Sequence, residues 1–324
     1  MEALKVLFTS SGRRVELIEI FKKEGFITYA ADCDPTAPTL FTADKKFIVP
    51  RILEDPARYI DALMEIVKKE NINVVIPLID TELTTLAKAK DTFSQHHAVV
   101  LISEPNNVEI AFDKYRTYLF FKETGLLTPE TRLVGEIMEK DEDLDKSFFP
   151  ALLKPRFGSA GKGIMPCNDM DYILFLYSKG DLDDYVVQQK VSGTEITTDI
   201  FGDGQGNMIS AVQRKRLKIR AGEVERGVTV KDNHLFDNAL QFTRHYKPLG
   251  TVNIQCLFDK EKAFYIEINP RFGGGYPLAY QAGANFPGMI KKLLKGEKVT
   301  SGYSDYQEGL IMSRYDSAIY YKAE

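Results

Sequence analysis

Residues 251–275 read Thr-Val-Asn-Ile-Gln-Cys-Leu-Phe-Asp-Lys-Glu-Lys-Ala-Phe-Tyr-Ile-Glu-Ile-Asn-Pro-Arg-Phe-Gly-Gly-Gly. The alternation from Thr251 to Phe258 puts Val252, Ile254, Cys256 and Phe258 on one side of a strand, and Asn253 and Gln255 on the other. Phe264 to Asn269 alternates as well, which groups Tyr265, Glu267 and Asn269. Lys260-Glu261-Lys262 supplies a turn. A hairpin centred on Glu261 sets Gln255 opposite Glu267, with β-carbons about 5 Å apart. Gln255, Glu267 and Asn269 then offer three hard oxygen donors on one face. Such a small set, with positions left over, suits magnesium (or manganese) shared with a nucleotide's phosphates. A half-solvated antiparallel pair also explains a polar face. The ending Pro270-Arg271-Phe272-Gly273-Gly274-Gly275 favours a site, because Arg271 is placed to fork onto a phosphate or carboxylate.

Working back from the hairpin, Gln213-Arg214-Lys215-Arg216-Leu217-Lys218-Ile219-Arg220 is strongly basic. A nucleic-acid patch would interleave aromatics, which are missing here. A strand with some cations over a triphosphate and others in water fits better; Lys215 and Arg216 are the candidate catalytic cations, and the sequence alone does not say which of the run point inward. Further back, a strand from Phe149 to Lys154 leads into Pro155-Arg156-Phe157-Gly158-Ser159-Ala160-Gly161-Lys162-Gly163. Glycines let backbone N–H groups approach phosphate oxygens, and Lys154 and Lys162 add charge. The order is neither a P-loop nor a dinucleotide fingerprint. Strands on both sides predict a hairpin turn.

The first hundred residues alternate apolar strands with amphipathic helices, the pattern of a parallel sheet covered by helices. The strand Lys5–Phe8 runs into Thr9-Ser10-Ser11-Gly12-Arg13-Arg14, and the strand 73–78 into Asp80 and Glu82. Ile110 to Thr124 and Leu278 to Leu294 read as helices. The expected organisation is α/β followed by α+β: a domain at 1–105, a lobe with the glycine-rich loop at 106–184, and a lobe with the metal and substrate site at 185–324.

Composition narrows the function. The 324 residues are 44% hydrophobic and 27% charged, with a formal net charge of −4, which argues against nucleic acid as the main partner. No apolar stretch is long enough to span a membrane. Three scattered cysteines, Cys33, Cys167 and Cys256, fit a reducing, cytoplasmic setting. The four histidines show no metal-ligand spacing and read as surface residues.

With these pieces in order, the chain resembles the ATP-grasp superfamily, especially its carbamoyl-phosphate-synthase-like branch, over nearly its whole length. The resemblance implies an α/β lobe preceding two α+β lobes that clamp ATP. It implies that Lys114 (in Phe112-Asp113-Lys114) and Lys154 contact phosphates, beside Gly158, Ser159, Gly161, Lys162 and Gly163. It carries adenine contacts to Gln188, Gln189 and Val191 and a ribose acid to Glu195. Gln188 stands where the family usually has Glu. The metal trio Gln255, Glu267 and Asn269 matches Glu-x-Asn-x-Arg with the preceding strand. The chain has one grasp unit, whereas a carbamoyl-phosphate synthase large subunit has two.

The expected activity is ADP-forming carboxylate–amine ligation with ATP and Mg2+. Arg13, Arg14, Asp80 and Glu82 at the first lobe's strand ends are candidates for holding an amino acid or similar zwitterion. Phosphorylation of bicarbonate or carbamate with a partner subunit, a non-catalytic nucleotide-binding module, and a homodimer all stay open.

Overall fold

The computed structural model describes residues 3–140, 143–158, 161–180, 182–220, 222–259, 261–299 and 305–322. The chain begins with a parallel sheet. Strands β1 (Lys5–Thr9), β2 (Ile27–Asp32), β3 (Lys45–Ile48), β4 (Val74–Pro77) and β5 (Val99–Val100) lie in the order β3-β2-β1-β4-β5. Helices α1 (Val15–Lys23), α2 (Pro56–Glu70) and α3 (Asp80–Ser94) connect and cover them. Strand residues project alternately to the two faces. Val6 and Phe8 therefore join one core with Leu17 and Phe21, while Leu7, Tyr29 and Val75 join another with Leu63, Val67 and Leu86. Thr9 and Pro77 end side by side, so the Ser10–Arg14 loop and the start of α3 emerge at one edge.

α4 (Pro105–Phe112) and α5 (Lys114–Glu123) follow. The sequence reads as one helix here. The structure breaks it at Asp113, whose backbone is extended at φ −103° and ψ 111°. The Asp113 carboxylate accepts the N–H groups of Tyr115 and Arg116 at 2.9 and 3.3 Å, capping α5. Its other oxygen receives the Arg156 guanidinium at 2.9 and 2.7 Å. Lys114 thus becomes the first residue of a new helix, beside the small lobe.

That lobe contains β6 (Thr131–Leu133), α6 (Val134–Glu139), β7 (Ala151–Pro155), β8 (Met165–Cys167), α7 (Met170–Tyr177) and β9 (Tyr185–Gln189). Its strands form an antiparallel sheet in the order β6-β9-β7-β8. Two boundaries shift from the sequence expectation. β9 pairs with β6 and β7, so the change of lobe falls after Gln189 and not at 184. α5 joins the large lobe's core, with the rings of Phe121 and Tyr265 5.5 Å apart, so residues 106–123 are not part of the small lobe.

The large lobe holds β10 (Thr194–Asp203), β11 (Met208–Arg220), β12 (Glu223–Val230), α8 (Asn233–Tyr246), β13 (Leu249–Phe258), β14 (Ala263–Asn269), α9 (Tyr276–Gln281), α10 (Phe286–Leu294) and β15 (Ile311–Ser313). The strands form an antiparallel sheet in the order β14-β13-β10-β11-β12-β15. α8 closes one face, where Leu235, Ala239 and Phe242 meet Ile196, Ile254, Cys256 and Tyr265. The helix expected over 278–294 is two helices, parted near Gly283 at φ 119°. Among the described residues no helix is long and apolar enough to cross a membrane.

Candidate active site

The sheet's open face carries the polar rows. Register sets Arg214, Thr197, Gln255 and Glu267 across β11, β10, β13 and β14, with Asp199, Asn253 and Asn269 forming the next row. Gln255 lies opposite Glu267, as the alternation predicts. The route differs, because a β-bulge follows Gln255 and moves Tyr265 opposite Cys256. Tyr265 is therefore buried in the apolar core and not grouped with Glu267 and Asn269. Lys215 is a second correction. It pairs with Ile196 and so lies on the α8 side of the sheet, away from Gln255 and Glu267.

The two inward cations of this strand are Arg214 and Arg216. Arg216 donates to Glu195 through Nη1. Glu195, the predicted ribose acid, also accepts from Gln255: assigned from its surroundings, that amide NH2 donates at 3.1 Å to both Glu195 and Glu267. Burial raises the pKa of the Glu267 carboxyl, and the nearby Asp80 carboxylate pushes it the same way. Glu195, Gln255 and Glu267 thus form one hydrogen-bonded row, with Arg216 on Glu195. Among the described residues no three His, Cys, Asp or Glu side chains converge on one point, so there is no dedicated metal cage. One or two carboxylates with phosphates completing the shell is how Mg2+ is usually held, and Glu267, Asn269 and Gln255 fit that pattern.

Two lysines face this row from the other side. Lys154 on β7 donates to Gln188 Oε1 at 2.6 Å. Burial lowers its pKa to about 8, with Lys114 adding to the drop and Glu267 opposing it. Burial lowers Lys114 as well, and its Nζ donates to the Gly158 carbonyl at 2.9 Å. Two half-desolvated ammonium groups beside each other mark a place for multiple negative charge. Gly158, Gly161 and Gly163 have φ of 117°, 70° and 73°, within the β7–β8 hairpin. Lys162 in this turn is exposed; Ser159 lies outside the described residues.

Gln188 is buried, and its amide bridges Lys154 and Thr131 Oγ1, the latter at 2.9 Å. Its side chain therefore positions a lysine. The Gln189 N–H is likewise taken, by the Glu130 carbonyl at 2.8 Å. Val191 follows the end of β9, beyond the ladder that ends at Gln189.

At the other end, Arg271 forks onto Asp80 at 2.6 and 2.8 Å and reaches Asn269 Oδ1 at 3.3 Å. Burial alone would lower its pKa, but Asp80 and Glu267 more than reverse this. Arg14 is mostly buried, 3.4 Å from Glu223. Burial lowers its pKa to about 10, Glu223 opposes, and Arg271 and Arg314 lower it further. Arg13 is largely exposed, 3.5 Å from Glu223, and Arg314 lies 3.6 Å from the same carboxylate. Glu82 is not at the surface of this cluster. It is fully buried at the third position of α3, accepting the Leu78 and Ile79 N–H groups at 2.9 and 3.2 Å, Ser10 at 2.9 Å, and Tyr59. It caps a helix and cannot hold a substrate.

Sequence reading missed the support beneath Arg271. Arg214 forms a buried two-point pair with Asp199, at 2.5 and 3.0 Å. The Asn253 amide donates to the carbonyls of Asn269 and Arg271 at 3.4 and 3.3 Å. A β-carbon on Gly275 would fall 2.1 Å from Arg214 Nη1, and one on Gly274 2.8 Å from Arg14 Nη1. Gly274 and Gly275 leave room for the arginines that lie against their backbone. Glu223 and Arg314 were also missed. Glu223 opens β12 and Arg314 follows β15, both far from the two lysines in sequence, and no local signal marks them.

A parallel-sheet lobe followed by two lobes that aim lysines, an arginine and an acid–amide row at one place defines an ATP-grasp protein. The family matches agree with that arrangement in both parts of the chain. Residues 6–101 match the family described as PylC-like, N-terminal domain, and residues 181–317 match that described as ATP-grasp in the biosynthetic pathway with Ter operon. The carbamoyl-phosphate synthase of Methanobrevibacter smithii is 24% identical over 285 residues, 84% of this chain and 75% of that protein. The carbamoyl phosphate synthase large chain of Clostridium perfringens is 22% identical over 318 residues, but the chain spans only 29% of its length. The biotin carboxylase domain of Hydrogenobacter thermophilus 2-oxoglutarate carboxylase, solved with MgADP and bicarbonate, superposes with a TM-score of 0.75 at 16% identity, covering 96% of this chain and 74% of that one. At that identity the likeness is one of fold.

Proposed function

We propose that the protein is an ADP-forming carboxylate–amine ligase. The observation that carries this reading is the facing of Lys114 and Lys154 against the Glu267–Gln255–Asn269 row, with Arg271 at its first-lobe end. The two lysines bind the nucleotide's phosphates, and the glycine turn covers them. Adenine is held at the exit of β9 around Val191, and its ribose lies toward Glu195. Glu267, Asn269 and Gln255 would hold Mg2+, which neutralises phosphate charge when bound.

The substrate carboxylate oxygen attacks the γ-phosphorus, and the bond to the ADP oxygen breaks. The amine nitrogen then attacks the acyl carbon, phosphate leaves, and the ammonium proton passes to solvent. Alignment and charge neutralisation suffice for both steps, so no side-chain nucleophile is required. Arg14, with Arg13 and Arg314 near it, offers a forked donor to a carboxylate, and Asp80 offers an acceptor to an ammonium group. An amino acid meets both.

The test is ADP release across pairs of amino acids, with bicarbonate as a separate arm. The expected result is turnover that needs both a carboxylate and an amine, abolished by Glu267→Gln with the fold intact by circular dichroism. Turnover with bicarbonate alone would overturn it.

A further inference from the structure

Lys114 and Lys154 come from different parts of the chain, one opening α5 and the other near the end of β7. Both meet neutral acceptors. Lys154 donates to the Gln188 amide oxygen at 2.6 Å and Lys114 to the Gly158 carbonyl at 2.9 Å, and among the described residues neither lies in an ion pair. Two ammonium groups set close together repel each other, so the segments that carry them part unless something else joins them.

The join is made by the residue before one lysine and the residue two beyond the other. Asp113 is almost fully buried. One of its oxygens accepts the Tyr115 and Arg116 N–H groups, and the other accepts Arg156 Nε and Nη2 at 2.9 and 2.7 Å. The backbone follows the same route. The Lys114 N–H donates to the Arg156 carbonyl at 3.1 Å, and Asp113 bridges to Phe157 in the antiparallel sense. Arg156 is anchored on its far side as well, its N–H donating to the Asp184 carbonyl at 2.8 Å just before β9. The Phe112 and Phe157 rings stack alongside, 5.8 Å apart. A buried fork, a backbone bond and a ring stack thus cross from the small lobe's sheet to the α4–α5 break at one place. Capping α5 does not require this charge, because asparagine caps a helix as well as aspartate does. The charge on Asp113 serves the fork.

Resting on the nucleotide-binding part of the ligase reading, we propose that Asp113 and Arg156 are positioning residues whose ion pair holds Lys114 and Lys154 side by side for a nucleotide's phosphates. The pair touches no phosphate itself. Its effect passes through the two lysines, so it sets how they act together and not how each acts alone. Burial first, and Lys114 second, lower the Lys154 pKa to about 8 in the free protein, which agrees with the two being held close. A polyphosphate relieves that repulsion when it binds.

Calorimetric titration of the full chain with MgADP at pH 7 and pH 9 tests this. Asp113→Asn keeps the cap and removes the charge of the fork. Arg156→Gln removes it from the other, partly exposed side, and Arg156→Lys restores it. Asp113→Asn and Arg156→Gln are each expected to weaken MgADP about tenfold at pH 7, with Arg156→Lys within about threefold of the parent. In a Lys114→Ala background, Asp113→Asn is expected to change the dissociation constant less than about twofold, because no lysine pair remains to be placed. The parent's weakening from pH 7 to pH 9, about tenfold for a lysine of pKa about 8, is expected to fall to about threefold or less in Asp113→Asn. A merely structural role would leave that pH profile unmoved. Unchanged affinity in Asp113→Asn and Arg156→Gln, the full loss persisting in the Lys114→Ala background, or an unaltered pH profile overturns the proposal. Binding that follows these expectations without ADP release from any carboxylate–amine pair would sink the ligase reading and leave the brace standing. Turnover in the parent, with both variants binding MgADP as it does, would do the reverse.

Discussion

Raising the pH should loosen nucleotide binding through Lys154. Its ammonium is buried beside Lys114, and its pKa falls from 10.5 to about 8 in the free protein. Phosphates bound against it would restore the charge, so binding above pH 8 must take up a proton. With a free-state pKa of about 8, the factor 1 + 10^(pH − 8) raises the dissociation constant about 1.1-fold at pH 7 and about 11-fold at pH 9. The ceiling is the loss of one charge-assisted hydrogen bond, about 1.5–3 kcal/mol. The sign for folding is opposite: charging a buried lysine costs stability below about pH 8, and that cost is withdrawn as pH rises toward 10.5. Titrating MgADP from pH 7 to pH 9 reads the effect, and Lys154→Arg provides the control, since its charge persists. A flat dissociation constant in the parent protein, or the same slope in Lys154→Arg, refutes the argument.

Asp199→Ala should cost about 3–5 kcal/mol in urea unfolding, because it leaves the buried Arg214 charge without its partner. Glu82→Gln should lower stability by about 1–3 kcal/mol through its lost anionic acceptor and leave every Michaelis constant unchanged, which separates a cap from a substrate ligand. Arg14→Ala should raise the Michaelis constant of the carboxylate substrate with that of ATP unmoved; equal effects on both would remove Arg14 from the acceptor side.

The hairpin was legible because alternation over 251–258 fixes which residues share a face, and a symmetric turn fixes the partner. Gln255 and Glu267 do pair, yet a one-residue bulge beside them sends Tyr265 into the core, and nothing in Phe264–Asn269 announces it. Parity failed on β11 for a related reason. In a run of cations, choosing Lys215 or Arg214 as inward depends on the neighbouring strand's register, which sequence alone does not supply. Glu82 shows a different limit. An acid at the third position of a helix can cap it or face a ligand, and only burial under Tyr59 and Ser10 decides. The parallel lobe was readable because it rests on local pattern, whereas Lys114 entered only through the family resemblance. The arginine cluster on Glu223 was not, because Arg14, Glu223 and Arg314 meet only after folding.

The contact between Arg214 and the glycines at 273–275 has a bearing on how such a protein can diverge. A side chain at Gly275 collides with a guanidinium that Asp199 holds in place, so the loop cannot be decorated one residue at a time. Change there requires a coordinated replacement on β10, β11 and the loop together, a step that single substitutions rarely cross. Arg13, at a first-lobe strand end, carries no such lock. Arg13 is open to water, and its loop meets the same reaction centre. New specificities would therefore accumulate more readily on the first lobe, while the loop bearing Arg271 stays as the inherited part.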